Sequence, residues 1–111
     1  MVEIDFSPEF ERWFLALNDQ NTEAVARVVD LLEARGVALG YPYTSAIVGS
    51  ANAMRELRVQ SGGRPLRIPY AFDPKRRAFL PLGGEKSEGD RFYQRMIPIA
   101  EAIYQRHLAE E

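Results

Sequence analysis

The stretch Arg55-Glu56-Leu57-Arg58-Val59-Gln60-Ser61-Gly62-Gly63-Arg64-Pro65-Leu66-Arg67-Ile68-Pro69-Tyr70-Ala71-Phe72 decides the fold. Apolar and polar residues alternate in both halves, the period of a half-buried strand. Residues 54–60 place Leu57 and Val59 on one face, and Glu56, Arg58 and Gln60 on the other. Residues 65–72 place Leu66, Ile68, Tyr70 and Phe72 on one face. Ser61-Gly62-Gly63 reads as the turn between them. The spacing predicts a hairpin with a core face that includes Tyr70 and Phe72. Arg58 and Arg67 fall on the opposite face.

Downstream, Asp73-Pro74 opens a second turn, and residues 77–82 form a third strand with Ala78, Leu80 and Leu82 on one face. Pro69 and Pro81 each lack a ladder donor, which predicts bulges or edge positions. The short connections favour an antiparallel meander. Gly83-Gly84 breaks the last strand, as a plain turn or as an anion nest. The tail, about 88–109, repeats Phe92, Met96, Ile99, Ala100, Ile103 and Tyr104 at helical spacing, with Leu108 extending the stripe. Asp90 is a candidate cap for this helix. Pro98 inside it predicts a kink or a split. Tyr93 follows Phe92 and is the more exposed of the two. His107, near the helix C-terminus, reads as a surface residue where a cation is favourable.

Upstream, residues 36–54 carry no charge but contain Gly36, Gly40, Pro42 and Gly49. They read as an irregular connection with a brief strand near 46–48. Val25, Val28, Val29 and Leu32 predict a helix over about 20–35, closed by Gly36. Ser7-Pro8 is an N-cap and first-turn pair. The helix it starts has about three turns, with Phe10, Trp13, Phe14 and Leu17 on its core face. Residues 2–6 alternate as a short strand. The layout is β-α-α-β-β-β-α, in one domain spanning 1–111. That is an α+β class: an antiparallel sheet, an N-terminal helical hairpin packed on one face, and a C-terminal helix. The other sheet face is left to polar residues.

Composition removes whole classes of function. The chain has 111 residues, 46% hydrophobic and 27% charged, with net charge -2, one His and no Cys. No apolar run approaches the roughly 18–20 residues of a membrane span. Without Cys there is no disulfide, thiol nucleophile or iron–sulfur site. One His cannot build a multi-His centre, so no metal or cofactor is expected. No leader-like opening is visible, and a cytoplasmic location is expected.

The small net charge hides an asymmetry. Residues 1–35 carry net -5, residues 55–77 net +5 and residues 78–111 net -2. Six of the seven cations in the basic block are Arg. Arg suits bidentate contact with phosphate. Arg55, Arg58, Arg64 and Arg76 of this block are candidates for binding a polyanion, and Lys86 after the Gly-Gly break can stand at the rim of the same face. The pattern equally fits a solvated face with salt bridges, Arg55 or Arg58 to Glu56 or to the acidic helices. Spacing alone leaves both open.

The strings Arg55-Glu56-Leu57-Arg58, Arg64-Pro65-Leu66-Arg67-Ile68-Pro69-Tyr70-Ala71-Phe72 and Leu82-Gly83-Gly84-Glu85-Lys86, followed by a terminal helix with Phe92-Tyr93 and Ala100, resemble the RelE/ParE toxin superfamily. The nearest branch is the HigB-like, phage-derived group of type II toxin–antitoxin systems. The resemblance covers most of the chain. It implies a cytoplasmic toxin, an antitoxin from the adjacent gene, usually of helix-turn-helix type, and metal-independent cleavage of mRNA on the ribosome. In such cleavage the 2′-hydroxyl attacks the adjacent phosphate. By the same resemblance Arg67 matches the central-strand arginine that stabilises the phosphate. Arg58 matches a basic position on the preceding strand, and Lys86 the basic residue after the last strand. Tyr93 lies close to a position where some members keep a catalytic or stacking aromatic. The implied catalytic set is Arg67, Lys86 and Tyr93, and the resemblance makes Arg55, Arg58, Arg64 and Arg76 candidate RNA-binding residues. The pattern departs in two respects: HigB-like nucleases often keep a His near the sheet, whereas the only His here is His107, and many ribosome-dependent members are strongly basic, whereas this chain has net charge -2. The alternative is a non-nuclease binding module of the same fold, either a ParE-like gyrase inhibitor or an inactive phage-derived remnant.

Overall fold

The computed structural model describes residues 1–87 and 89–110. Strand β1 (Ile4–Phe6) leads into helix α1 (Pro8–Leu15). Ser7 caps α1, its Oγ accepting from the Phe10 amide at 2.9 Å, with Pro8 at the first position. The helix is shorter than its periodicity predicts. The Ala16 and Leu17 amides turn back to the Trp13 and Phe14 carbonyls, each at 3.2 Å, and tighten the last turn. Asn18 then caps α2 (Asp19–Arg35), accepting from the Asn21 amide at 2.8 Å, and Gly36 ends it. A 3₁₀ turn (Gly36–Ala38) opens the uncharged connection.

The remaining elements are β2 (Thr44–Ala46), β3 (Arg55–Ser61), β4 (Arg64–Phe72), β5 (Ala78–Leu80), β6 (Gly84–Glu85) and α3 (Asp90–Ala109). The brief strand expected near 46–48 lies instead at Thr44–Ala46, where it pairs with β3. The central hairpin forms as its alternation predicts, running from Arg55↔Tyr70 to Ser61↔Arg64. Gly62 and Gly63 both take positive φ, 56° and 79°, as a two-residue hairpin turn requires.

Two expectations about the sheet need correction. The order is β1-β5-β4-β3-β2, with β6 also on β4, and β1 runs parallel to β5. The sheet is therefore mixed, with six strands. Its pattern marked residues 2–6 as a strand, but alternation carries no information on neighbour or direction. The third strand ends at Leu80 rather than continuing to residue 82. Pro81 cannot donate to the ladder, and pairing with β4 resumes only at Gly84–Glu85. Pro69 sits opposite this break, between the β4 residues paired with β6 (66–67) and those paired with β5 (71–72). Two prolines thus share one gap in the hydrogen-bonding pattern.

The helical hairpin covers one face as expected. Val25, Val28 and Leu32 of α2 meet Leu57, Val59, Leu66, Ile68, Tyr70 and Leu80, with Phe10 buried and Trp13 and Phe14 packed against them. Each fully buried Leu or Ile contributes roughly 1.5–3 kcal/mol. The other face is not left open. Ala100, Ile103 and Tyr104 of α3 pack on Met54, Ala71 and Phe79 in a second core.

α3 begins at Asp90; the expected start at Glu88 lies outside the described residues. Gly89 holds the cap position without a side-chain bond, so Asp90 is the first helical residue and not the cap. There its charge meets the positive helix end. α3 remains one element through Pro98, which is exposed. Among the described residues no helix is long and apolar enough to cross a membrane.

His107 is also placed differently from its sequence reading. It is buried, 8% exposed, and stacks on Phe79 with centroids 3.9 Å apart. Its Nε2 lies 2.9 Å from Asp73 Oδ2. The α3 stripe turns toward the β4–β5 turn at this end and carries His107 inward. It has no part in the site described next.

Candidate functional site

The site is built where the first half of α3 crosses the polar face of β3 and β4. Pairing of Arg58 with Arg67 and of Glu56 with Pro69 brings Glu56, Arg58 and Arg67 onto this face. Gly83 and Gly84 let the flanking elements come close. A side chain at Gly83 would run into the Trp13 ring, and a Cβ at Gly84 would meet Met96 Cε at 2.6 Å and Phe92 Cε1 at 3.0 Å. Close packing of Phe92 over Gly84 sets the next residue, Tyr93, above Glu56.

Three groups converge on one carboxylate oxygen. Tyr93 donates its hydroxyl to Glu56 Oε1 at 2.8 Å. Arg67 Nε lies 3.4 Å from the same atom, and Arg58 Nη1 lies 3.5 Å from it. Glu56 and Arg67 are only 4% and 6% exposed. Arg67 Nη1 donates to the Leu66 carbonyl at 3.0 Å, while its buried Nε makes no hydrogen bond of good geometry. Lys86 Nζ stands 5.1 Å over the Tyr93 ring, a cation–π contact. The Lys86 backbone is pinned by its amide to the Pro65 carbonyl at 2.8 Å.

Burial pushes the Tyr93 hydroxyl above its ordinary pKa; the Glu56 hydrogen bond and charge push the same way, and Arg67 opposes them. The phenol therefore keeps its proton and serves as a donor. Glu56 is an acceptor already in place. The guanidinium of Arg67 is an anion-binding fork with an unspent donor. Two cavities adjoin: one of about 360 Å³, lined in part by Ser45, Glu56, Arg58 and Tyr93, and one of about 170 Å³, lined by Pro42, Arg58, Gln60 and Arg67. Among the described residues no group of carboxylates and His could hold a metal ion.

The structure thus brings Arg58, Arg67, Lys86 and Tyr93 together. It leaves three other sequence candidates elsewhere. Arg55 shares the face of Leu57 by strand alternation. Arg64 sits beside the hairpin turn and pairs with Glu85 at 3.2 Å. Arg76 lies in the exposed β4–β5 turn, at the far end of β4, its amide bonded to the Asp73 carbonyl at 2.8 Å. The salt bridge that the sequence allows between Glu56 and Arg58 is observed, at 3.5 Å. The central place of Glu56 needed one further signal: it shares the alternation face of Arg58, and a tyrosine opens the helix that crosses that face. Tyr41, whose ring lies 5.6 Å from Arg58 Cζ, left no such signal.

Comparison with known proteins places the chain in a family. Residues 12–105 match the family described as phage derived protein Gp49-like (DUF891). The chain is 42% identical over 106 residues to "Putative toxin HigB3" of Mycobacterium tuberculosis (strain ATCC 25618 / H37Rv), covering 94% of this chain and 91% of that protein. It is 36% identical over 101 residues to "Putative toxin HigB2" of the same organism, covering 88% of this chain and 50% of that protein, so it spans half the length of this second relative. No solved structure matches significantly. With the family model covering most of the chain, and with these relatives, the chain belongs to the phage-derived, Gp49-like family of HigB-like toxins.

Proposed function

We propose that this toxin is a ribosome-dependent mRNA endoribonuclease that inhibits translation, working without metal or cofactor. The observation that supports it is the convergence of Tyr93, Arg67 and Arg58 on Glu56 Oε1, beside a buried Arg67 Nε that makes no hydrogen bond. An incoming phosphodiester offers that Nε an oxygen. Glu56 takes the proton of the attacking 2′-hydroxyl. The 2′-oxygen bonds to phosphorus, the bond from phosphorus to the 5′-oxygen breaks, and Tyr93 or Lys86 gives the leaving oxygen its proton. Arg67 and Arg58 stabilise the charge that builds on the phosphate in the transition state. The products are a 2′,3′-cyclic phosphate and a free 5′-hydroxyl.

A cognate antitoxin from the adjacent gene, of helix-turn-helix type, restrains the toxin in the cytoplasm by covering this basic face. Arg55, Arg64 and Arg76 lie off this site and contribute RNA contacts only through a longer strand. The test is induced expression: wild type stops growth, Arg67→Ala relieves the arrest at equal protein level, and the arrest is accompanied by cleaved mRNA. Normal growth with intact mRNA under full wild-type expression would sink the reading.

One observation favours a second reading. Arg67 already faces a carboxylate, so a resting cluster of this kind also suits a binding module without nuclease chemistry. Inhibition of gyrase supercoiling, with mRNA left whole, selects that alternative.

A further inference from the structure

The connection before β3 presents an aromatic tip beside the proposed phosphate site. Gly40 accepts from the Tyr43 and Thr44 amides at 3.0 and 3.3 Å, which closes a turn, and the Arg58 amide donates to the Tyr43 carbonyl at 2.8 Å, which pins that turn to β3. Tyr41 projects from it, 79% exposed, with the Arg58 guanidinium 5.6 Å from its ring centroid. An aromatic ring this exposed contributes little to the core. Pro42 forms one wall of the 170 Å³ cavity, whose other walls are Arg58, Gln60 and Arg67. Gln60 is exposed and, opposite Pro65, shares the face of Arg58 and Arg67.

We infer that Tyr41 and Gln60 form a nucleobase site for the unpaired RNA residue next to the phosphate at Arg67, with a preference for adenine. This deepens the proposed nuclease reading and rests on it. Unpaired bases are recognised by stacking on aromatic rings and guanidinium planes, and Tyr41 over Arg58 supplies both. The cavity beside the stack ends on a carboxamide, whose paired donor and acceptor match the N6 and N7 atoms of adenine. Arg67, on the same cavity, places the phosphate one nucleotide away.

The test is an NMR titration of the intact protein with short 2′-O-methylated RNA strands, which cannot be cleaved: one adenine-rich, one uracil-rich and one abasic. Wild type should bind adenine-rich over uracil-rich, and both over abasic. Tyr41→Ala should lose roughly tenfold or more on base-bearing strands, in the range of one base–aromatic stack, and nothing on the abasic one. Tyr41→Phe keeps the ring and should stay near wild type, and Gln60→Ala should equalise adenine and uracil. Arg67→Ala, with Arg67→Lys beside it in case the alanine variant does not fold, should weaken every strand. If Tyr41→Ala binds like wild type while the Arg67 variants weaken all strands, the base site is overturned and the phosphate site stands. If the Arg67 variants bind like wild type while Tyr41→Ala is weak, the phosphate reading fails and the base site stands. Abasic RNA binding as tightly as the others, or no binding of any strand, overturns the base site.

Discussion

A single oxygen of Glu56 holds the chemistry of this site together. A buried carboxylate that accepts from a tyrosine and faces two guanidinium groups is costly to leave unpaired. Its neighbours therefore fix its position. Glu56→Gln keeps an acceptor for Tyr93 but removes the proposed base. Cleavage should fall about a hundredfold or more, with the fold retained by circular dichroism; unchanged cleavage would remove Glu56 from the mechanism. Tyr93→Phe keeps the ring under Lys86 and removes the proton. A slower rate with RNA affinity preserved is expected, and single-turnover kinetics would read the two apart. At this scale the sequence was partly legible. Alternation put Arg58 and Arg67 on one face. The same alternation sets Arg55 on the face of Leu57, but it could not show that Arg64 pairs with Glu85 beside the hairpin turn. Nor could it show which helix residue would reach Glu56, because that depends on how α3 docks.

Among the elements, α3 does most to shape the site, and Gly84 lets its start lie close against β6. Gly84→Ala forces the start of α3 away from β6. It should destabilise by about 1–3 kcal/mol and displace Tyr93, so that activity falls further than stability explains; denaturant melts beside cleavage rates would check this. At the other end α3 is tied down by His107 on Asp73, and by Arg106 on Glu9 at 2.6 and 2.8 Å. Burial pushes the Asp73 carboxyl up, but hydrogen bonds from His107 and from the Arg77 backbone and side chain outweigh it and hold it below its ordinary value. The Arg106 hydrogen bond, working against partial burial, holds Glu9 down to about 2. Both groups have lowered folded-state values. Their stabilisation is present above the unfolded carboxylate pKa of about 4 and is lost as pH falls through the folded values. Melting temperature should therefore drop below about pH 4, and the drop should be shallower in Asp73→Asn, whose stability is already lower at neutral pH. A variant melting curve parallel to wild type down to pH 2 would contradict this. The helices were readable from periodicity, with Ser7 as the cap of α1 and Gly36 at the end of α2, but the cap of α3 is Gly89 and not Asp90. The split of the last strand into β5 and β6 was half readable, since Pro81 and Gly83-Gly84 marked a break but not the resumption after it. The burial of His107 was not readable, because its partner Asp73 sits in a turn 34 residues away.

On the scale of the whole molecule, charge is arranged rather than abundant. The acidic first 35 residues supply the helical hairpin on one face of the sheet, and the cationic cluster lies on the other. Long-range attraction to RNA is thereby offset. With Arg58, Arg67 and Lys86 as the phosphate contacts, the logarithm of affinity for free single-stranded RNA should fall with log salt at a slope of about -2. A slope steeper than about -4 would mean that the wider basic block binds. The fold class was legible because hydrophobic period and turn chemistry agree over most of the chain. The parallel seating of β1 and the covering of the second face by α3 were not, since both depend on contacts between segments far apart in the sequence, β1 with β5 and α3 with Met54, Ala71 and Phe79. Under the proposed function, a weak general affinity for RNA would leave presentation of the substrate to the ribosome. The most direct measurement is primer extension on a defined mRNA, with the purified toxin, in the presence and absence of translating ribosomes. The account predicts cuts with wild type only when ribosomes are present, and none with Arg67→Ala or Glu56→Gln. Full-length mRNA in every lane, or identical cutting by wild type and Arg67→Ala, would contradict it.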